Sequence, residues 1–385
     1  MSNNDHLNEL YERTLRFAAQ AAPLVDALEG DECEAARRAL QLLADEGLTR
    51  YMVPASDGGA DSKGLSSGGE VSVRVLTTLR RALAYHCGML DVTLVMQGLG
   101  SYALALKGDD DQRQHLRFAA EGKQVAAFAL TEPEAGSDLS GLATRAERTD
   151  GGWRLRGVKT YISNAPIADF FTVLARTSGE PGDREGLSMF LVTREARGLE
   201  RVPFEVMAPH PIGEVRFQDT ILPAEALIGE EGEGLELALS VLGRFRTSVA
   251  AAAVGFARRA LDESVQHLTT RKQFGKPLSA FQGLRFDLAE MDTRLRAAEL
   301  LVDEAANAVD AGEEAASAVA RAKLFATETA SYVCDRAVQH LGGRGVRRGE
   351  MVERLFREVR ALRIYEGTSE VQRLILAREL LARPS

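Results

Sequence analysis

Glu366 stands in the run Tyr365-Glu366-Gly367-Thr368-Ser369-Glu370. Gly367 interrupts the helical pattern of the preceding VRALRIYE, and Thr368 can cap a following helix with Val371 and Leu374 on its apolar face. A carboxylate at such a break is either solvated or, if something buries it, a general base. Three further segments carry groups able to hold a ligand. Leu130-Thr131-Glu132-Pro133-Glu134-Ala135-Gly136-Ser137-Asp138 follows the strand-like VAAFAL. It reads as a plain turn, or as a loop aiming the Thr131 and Ser137 hydroxyls and backbone N–H groups at a ligand. In Lys159-Thr160-Tyr161-Ile162-Ser163-Asn164, strand alternation puts Tyr161 and Ser163 on one face. The ring could then lie on a flat cofactor while Ser163 bonds its edge; an ordinary half-exposed strand has the same pattern. Arg271-Lys272-Gln273-Phe274-Gly275-Lys276-Pro277, followed by Phe281-Gln282, joins two long helical patterns. Its paired cations suit a helix C-terminus or a pyrophosphate. After Leu341, Gly342-Gly343-Arg344-Gly345 supplies more glycine than one C-cap needs, which leaves open a close backbone approach to another group.

One pattern misleads. Gly98, Gly100 and Ala103, with Glu121 further on, imitate a dinucleotide-binding fingerprint, but no alternation of strand and helix surrounds them. Close helix packing is the better reading. The net charge of −9, from 56 acidic and 47 basic residues, argues against a nucleic-acid or anionic-membrane partner held by a general positive field. Cys33, Cys87 and Cys334 are too isolated for a disulfide framework or a zinc site, and the six histidines include no HxxxH pair, so no metal is expected. The N-terminal MSNNDHLNEL lacks a secretory signal pattern, and no uninterrupted apolar run of about 18 residues suggests a membrane span. A soluble, cytoplasmic protein is the expectation.

The elements that must position these groups change character twice. Residues 1–124 carry helical periodicity, with Leu40, Leu43 and Ala44 on one face and a Gly/Ser-rich loop over Ser56–Gly69. Residues 125–230 are short apolar or alternating runs separated by turn clusters, a β texture. Residues 231–385 are helical again, with long helices over Gly234–Thr270, Phe281–Ala311 and Glu314–Leu341. The expected architecture is α+β: an N-terminal helical domain (1–124), a middle β-barrel-like domain (125–230) and a C-terminal helical bundle (231–385).

Taken in order, TEPEAGSD, KTYISN, RKQFGKP, QHLGGRG and YEGTSE resemble the acyl-CoA dehydrogenase family over nearly the whole chain. The resemblance implies an N-terminal α-domain, a middle β-domain and a C-terminal four-helix bundle. It also implies non-covalent FAD and a homotetramer in which a neighbouring subunit completes each FAD site. Matched position by position, Phe128, Leu130, Thr131, Tyr161 and Ser163 line the flavin, with Gly136 and Ser137 on the same loop and Ser137 also near CoA. Arg271, Gln273, Phe274 and Gln282 match contacts to the ADP part of FAD. Gln339, Gly342 and Gly343 match a second strip of them, and Thr368 and Glu370 complete the set. Arg246 matches a residue at the CoA end of the substrate, and Tyr365 and Gly367 belong to the substrate contacts. Glu366 matches the base that takes the pro-R α-proton while the β-hydrogen leaves as hydride to flavin N5. The carbonyl is polarised by the N–H of that Glu and a ribityl hydroxyl. Electrons then pass to an electron-transfer flavoprotein.

Some relatives carry the base on the helix matching Leu242–Ala253; here that stretch holds no carboxylate, and Phe245 stands at the position. Gly243 replaces an Asp that binds the pantetheine arm, which points to an altered arm contact or an acyl-carrier-protein substrate. Glu134 replaces a Gly and Ser163 a Thr. Phe245 is expected to crowd the acyl α-carbon and favour short, branched or cyclic chains. The alternatives are an acyl-CoA oxidase, a nitroalkane oxidase (against which Glu rather than Asp at 366 argues), a desulfinase-like flavoenzyme, and a non-catalytic binding protein.

Overall fold

A computed structural model describes residues 3–62, 65 and 70–382; most of the Gly/Ser-rich stretch expected to loop, at 63, 64 and 66–69, lies outside the described residues. In chain order the elements begin with α1 (Asn3–Asp26), α2 (Glu32–Asp45), α3 (Val73–His86), α4 (Gly88–Lys107) and α5 (Asp110–Ala120). Strands follow: β1 (Ala126–Ala129), β2 (Arg145–Thr149), β3 (Gly152–Ser163), β4 (Phe170–Arg176), β5 (Leu187–Thr193), β6 (Leu199–Pro203), β7 (Ile212–Pro223) and β8 (Leu227–Ile228). Then come α6 (Gly234–Thr270), β9 (Lys272–Gln273), β10 (Lys276–Pro277), α7 (Gln282–Asp310), α8 (Ala316–Leu341), α9 (Met351–Leu362) and α10 (Ser369–Ala382). The helix–strand–helix order is the one expected from the sequence. The chain forms two compact units, one of Met1–Ala22, Ser72–Asp91 and Arg246–Ser385, the other of Pro23–Val71 and Val92–Phe245.

The first unit is helical. Its core joins the alanine-rich run Val249–Ala253 of α6 to Met291, Leu295 and Val302 of α7, Val333 and Ala337 of α8, and Leu355 and Val359 of α9. Small residues let helices approach closely: a Cβ at Gly255 would lie 2.4 Å from the Arg81 carbonyl oxygen. The start of α3 is capped from a distance. Asp310, at the end of α7, accepts from the Ser72 hydroxyl at 2.7 Å and from the Val73 and Arg74 amides at 2.8 and 3.0 Å. These bonds satisfy amides that a helix N-terminus leaves unpaired.

The second unit is built on one sheet of order β6-β7-β3-β2-β4-β5-β8, with β1 parallel to β4. Its core centres on Trp153, Phe171, Phe190 and Val215. Helix α4 is tied to β1 by Gln97, which accepts from the Ala126 amide at 3.0 Å and donates to the Gln124 carbonyl at 2.7 Å. Gly98 and Gly100 lie on that helix. A Cβ at Gly98 would sit 2.5 Å from Phe245, and one at Gly100 2.7 Å from the Ala127 nitrogen, so both glycines serve close packing. Helices α4 and α6 contain windows apolar and long enough to cross a bilayer, yet 83% and 72% of those windows are buried, as in core helices.

Candidate functional site

In the helical unit, α9 stops at Leu362 and the chain turns through Tyr365, Glu366 and Gly367 before α10. Glu366 has φ +53° and Gly367 φ +94°. A Cβ at Gly367 would also lie 2.6 Å from Gln372 Nε2, so the position requires glycine. Side chains hold three successive carbonyls of this turn. Lys323 Nζ donates to Tyr365 O at 2.8 Å and also to Gly367 O. Arg246 Nε donates to Glu366 O at 2.9 Å, and Gln372 Nε2 to Gly367 O at 3.0 Å. Thr368 accepts from the Val371 amide at 3.2 Å and so caps α10 as expected.

The Glu366 carboxyl is set among charges. Burial raises its pKa, opposed by Arg80, Lys323 and Arg246 and reinforced by Asp91. Its Oε2 is shielded from solvent and has no hydrogen-bond partner among the described residues. Arg80 is committed elsewhere: it donates to both Asp91 oxygens at 2.8 and 2.7 Å and to the Ser248 hydroxyl at 2.9 Å. Burial pushes Lys323 down to about 8, against the pull of Glu366. A shielded carboxylate with a free oxygen and a raised pKa is able to act as a base near neutral pH. Nothing in the local sequence foretold Arg80, Lys323 or Asp91, which reach the turn from α3, α8 and α4.

In the β unit, the Thr131–Asp138 loop is stitched to β3. Glu132 and Ala135 exchange backbone hydrogen bonds, and the Thr160 amide donates to Thr131 O at 2.9 Å. Lys159 is buried and donates to Leu130 O at 2.9 Å and to Glu132 Oε1 at 2.7 Å. Glu132 also accepts from the Ala143 and Thr144 amides at 2.7 and 3.0 Å. Burial alone would raise the Glu132 carboxyl; Lys159 and these donors hold it below the ordinary range. The two motifs are therefore one construction joined by a buried ion pair that the sequence reading did not single out. Phe128 and Leu130 are buried, Thr131 and Ser163 half-buried, and Gly136 and Ser137 exposed. Glu134 is exposed and needs no positive φ, which explains why this loop tolerates it in place of glycine.

Strand β3 is irregular at Tyr161, which the regular alternation assumed from the sequence did not foresee. The β3–β7 register shifts between Lys159 and Ile162, and Tyr161 has φ +56°. This bulge leaves Tyr161 65% exposed, its ring edge-on to Phe204 at 5.3 Å. Ser163 instead meets His210, a residue not anticipated. His210 Nδ1 lies 3.1 Å from the Ala208 carbonyl and so carries the proton. Its Nε2, 3.2 Å from Ser163 Oγ, then accepts the hydroxyl proton. Burial lowers the His210 pKa and keeps the ring neutral.

The ADP-matching residues all lie in the helical unit. RKQFGKP does not simply link two helices: Lys272–Gln273 pairs with Lys276–Pro277 in a short hairpin, with Phe274 at φ +52° and Gly275 at φ +79° in its turn. Phe274 is 89% exposed. Arg271, Gln273, Gln282, Gln339, Gly342 and Gly343 are exposed as well. A cavity of about 500 Å³ is lined by His267, Thr270, Arg271, Leu341, Gly343 and Arg344. A Cβ at Gly342 or Gly343 would meet nothing within 4 Å, so the backbone there is open to a ligand. Guanidinium groups beside an open glycine backbone form a donor set suited to a pyrophosphate. Thr368 is half-buried, and the exposed Glu370 accepts from Arg373 at 3.1 Å. Tyr365 is 39% exposed at its residue surface.

Phe245 corrects a further expectation. It is fully buried, with its ring edge-on to Tyr102 at 5.5 Å and over Gly98. It offers no exposed face with which to crowd an acyl chain. Gly243 is exposed, and a Cβ there meets nothing within 4 Å, so the missing Asp is not a steric necessity. Among the described residues no group of three or more His, Cys, Asp or Glu is placed to hold a metal ion.

Two family models match the chain: "Acyl-CoA dehydrogenase, middle domain" over residues 127–220 and "Acyl-CoA dehydrogenase, C-terminal domain" over residues 232–381. Benzylmalonyl-CoA dehydrogenase of Aromatoleum aromaticum is 39% identical, covering 95% of this chain and 94% of the relative. The CarC subunit of the caffeyl-CoA reductase–Etf complex of Acetobacterium woodii is 37% identical, covering 72% of this chain and 74% of the relative. The solved structure of butyryl-CoA dehydrogenase from Megasphaera elsdenii superimposes with a TM-score of 0.87 at 32% identity, covering 97% of this chain and 98% of that one.

Proposed function

Because this chain belongs to the acyl-CoA dehydrogenase family, FAD-dependent oxidoreductases acting on CoA thioesters, we propose that it interconverts an acyl-CoA and its trans-2-enoyl-CoA with Glu366 as the base. The observation that carries this reading is the Glu366 turn: a left-handed, side-chain-clamped carboxylate with a shielded, unpartnered oxygen and a raised pKa. Glu366 takes the α-proton. Its N–H has no backbone acceptor among the described residues and is available to the thioester carbonyl. Arg246 keeps the turn in place through the Glu366 carbonyl and leaves its terminal nitrogens for the CoA end. When bound, the flavin supplies the redox chemistry by accepting the β-hydrogen as hydride. In the β unit, Lys159 and Glu132 fix the loop of Thr131 and Ser137, and His210 orients the Ser163 hydroxyl. In reverse, the protonated Glu366 returns the α-proton, so the same residues serve reduction.

For the acyl group we favour a ring-bearing thioester. The names of the benzylmalonyl-CoA and caffeyl-CoA relatives support this, whereas the buried Phe245 no longer does. The Etf in the name of one relative's complex supports an electron-transfer flavoprotein as redox partner. A cytoplasmic homotetramer completes the proposal. The test is anaerobic flavin bleaching across a panel of straight, branched and aromatic-ring CoA thioesters. Ring-bearing thioesters are expected to bleach best, and Glu366→Gln to retain FAD without bleaching. Full bleaching by that variant refutes the assignment of the base; a rate maximum at palmitoyl-CoA refutes the substrate class.

A further inference from the structure

Lys323 lies on α8 with 0% exposure, on a stretch whose Val319, Ala320, Ala322 and Ala326 are buried as well. An ammonium group in such surroundings is unfavourable unless its protons are bonded. Here two of the three go to the carbonyls of Tyr365 and Gly367, one on each side of Glu366. Glu366 needs that support, because a left-handed φ is sterically unfavourable in a residue with a Cβ. The other two donors to the turn differ from Lys323. Gln372 is neutral, and Arg246 belongs to the proposed substrate contacts.

The charges facing Glu366 come from four helices: Arg80 of α3, Asp91 of α4, Arg246 of α6 and Lys323 of α8. Glu328 and Glu370 also act on Lys323. Arg80 is neutralised by its two bonds to Asp91, whereas Lys323 makes no ion pair among the described residues. We propose that Lys323 is a positioning residue for the base, its ammonium group pinning both carbonyls that flank Glu366 and holding a positive charge beside the carboxylate. The inference rests on Glu366 as the base and adds a residue that touches neither thioester nor flavin.

The test separates charge from hydrogen bonding, using FAD-loaded protein. Phenylacetyl-CoA has exchangeable α-protons and no β-hydrogen, so deuterium exchange at its α-carbon reads the base without oxidation. In Lys323→Met and Lys323→Gln the acid limb of the exchange rate should move to higher pH, because a nearby cation that favoured the carboxylate is gone. A fixed pH on that limb should show a loss of about tenfold or more. Lys323→Arg should restore the limb. Amide hydrogen exchange of the segment 365–368 should quicken in Lys323→Met and less in Lys323→Gln, which keeps an uncharged N–H donor group. If Lys323→Met does not fold, Lys323→Gln decides alone. An unmoved acid limb in flavin-retaining variants, with Glu366→Gln inert, overturns the role of Lys323 and leaves the base in place. Normal exchange by Glu366→Gln overturns the base itself.

Discussion

At the scale of the residue, Glu366 carries a stability consequence beside its chemical one. Its pKa is raised on folding, so between the ordinary carboxylate value and the raised one the folded chain binds more protons than the unfolded chain. Stability therefore falls as pH rises through that window, and the penalty is fully present above it. Glu366→Gln should melt at a higher temperature than the parent at pH 7, and the gap should close as pH falls through that window toward the ordinary carboxylate value. A variant that melts lower at pH 7, measured without ligand, contradicts the burial penalty. The reverse holds at Lys159 and Glu132, where a buried pair shares one hydrogen bond. Lys159→Met leaves a carboxylate uncompensated in the core and should lose about 3–5 kcal/mol in denaturant unfolding. A loss below about 1 kcal/mol would show that the pair does not hold the loop. The sequence made Glu366 legible as a type and a spacing. Its surroundings were not legible, because Arg80, Asp91, Arg246 and Lys323 all lie far from Glu366 in the chain and meet it only after four helices pack.

At the scale of the element, the long helices were readable and the short departures from regularity were not. Helix α6 runs from Gly234 to Thr270 as its apolar periodicity predicts. The hairpin over Lys272–Pro277 has strands of two residues, too short to carry any period, and only its Phe274-Gly275 turn marks it. The bulge at Tyr161 was hidden for a related reason: alternation is a rule about regular strands, and one extra residue between paired positions interrupts it. Gly243 tests what an element tolerates. It lies exposed inside α6, where glycine is roughly 0.5–1 kcal/mol worse than alanine, and no neighbour obstructs a side chain. Gly243→Asp should therefore stabilise the protein or leave it unchanged, and should tighten binding of CoA thioesters measured by titration calorimetry. Unchanged affinity, with α6 intact by circular dichroism, would mean that the pantetheine arm takes another path.

At the scale of the whole molecule, helix α10 presents a face that the described residues do not cover. Leu374 and Leu381 are 69% and 87% exposed, and a spacing of seven residues places them on one side of α10. The sequence foresaw an apolar face at Leu374 but not that it would stay outside the fold. Single exposed leucines are ordinary, but a matched pair on one helix face suits association. In the proposed tetramer that face would have a partner, and assembly would be linked to cofactor retention, since Thr368 and Glu370 sit at the start of the same helix and Phe274 stands 89% exposed on its hairpin. The double variant Leu374→Glu, Leu381→Glu should sediment as a smaller species than the parent and release FAD on dilution, while each chain keeps its helical content. Two charges placed on an already exposed face cost an isolated chain little, so loss of FAD together with assembly would locate part of the cofactor's hold in the neighbouring subunit. If the parent sediments as a monomer that retains FAD, or the double variant keeps both its mass and its flavin, association through this face plays no part in building the site.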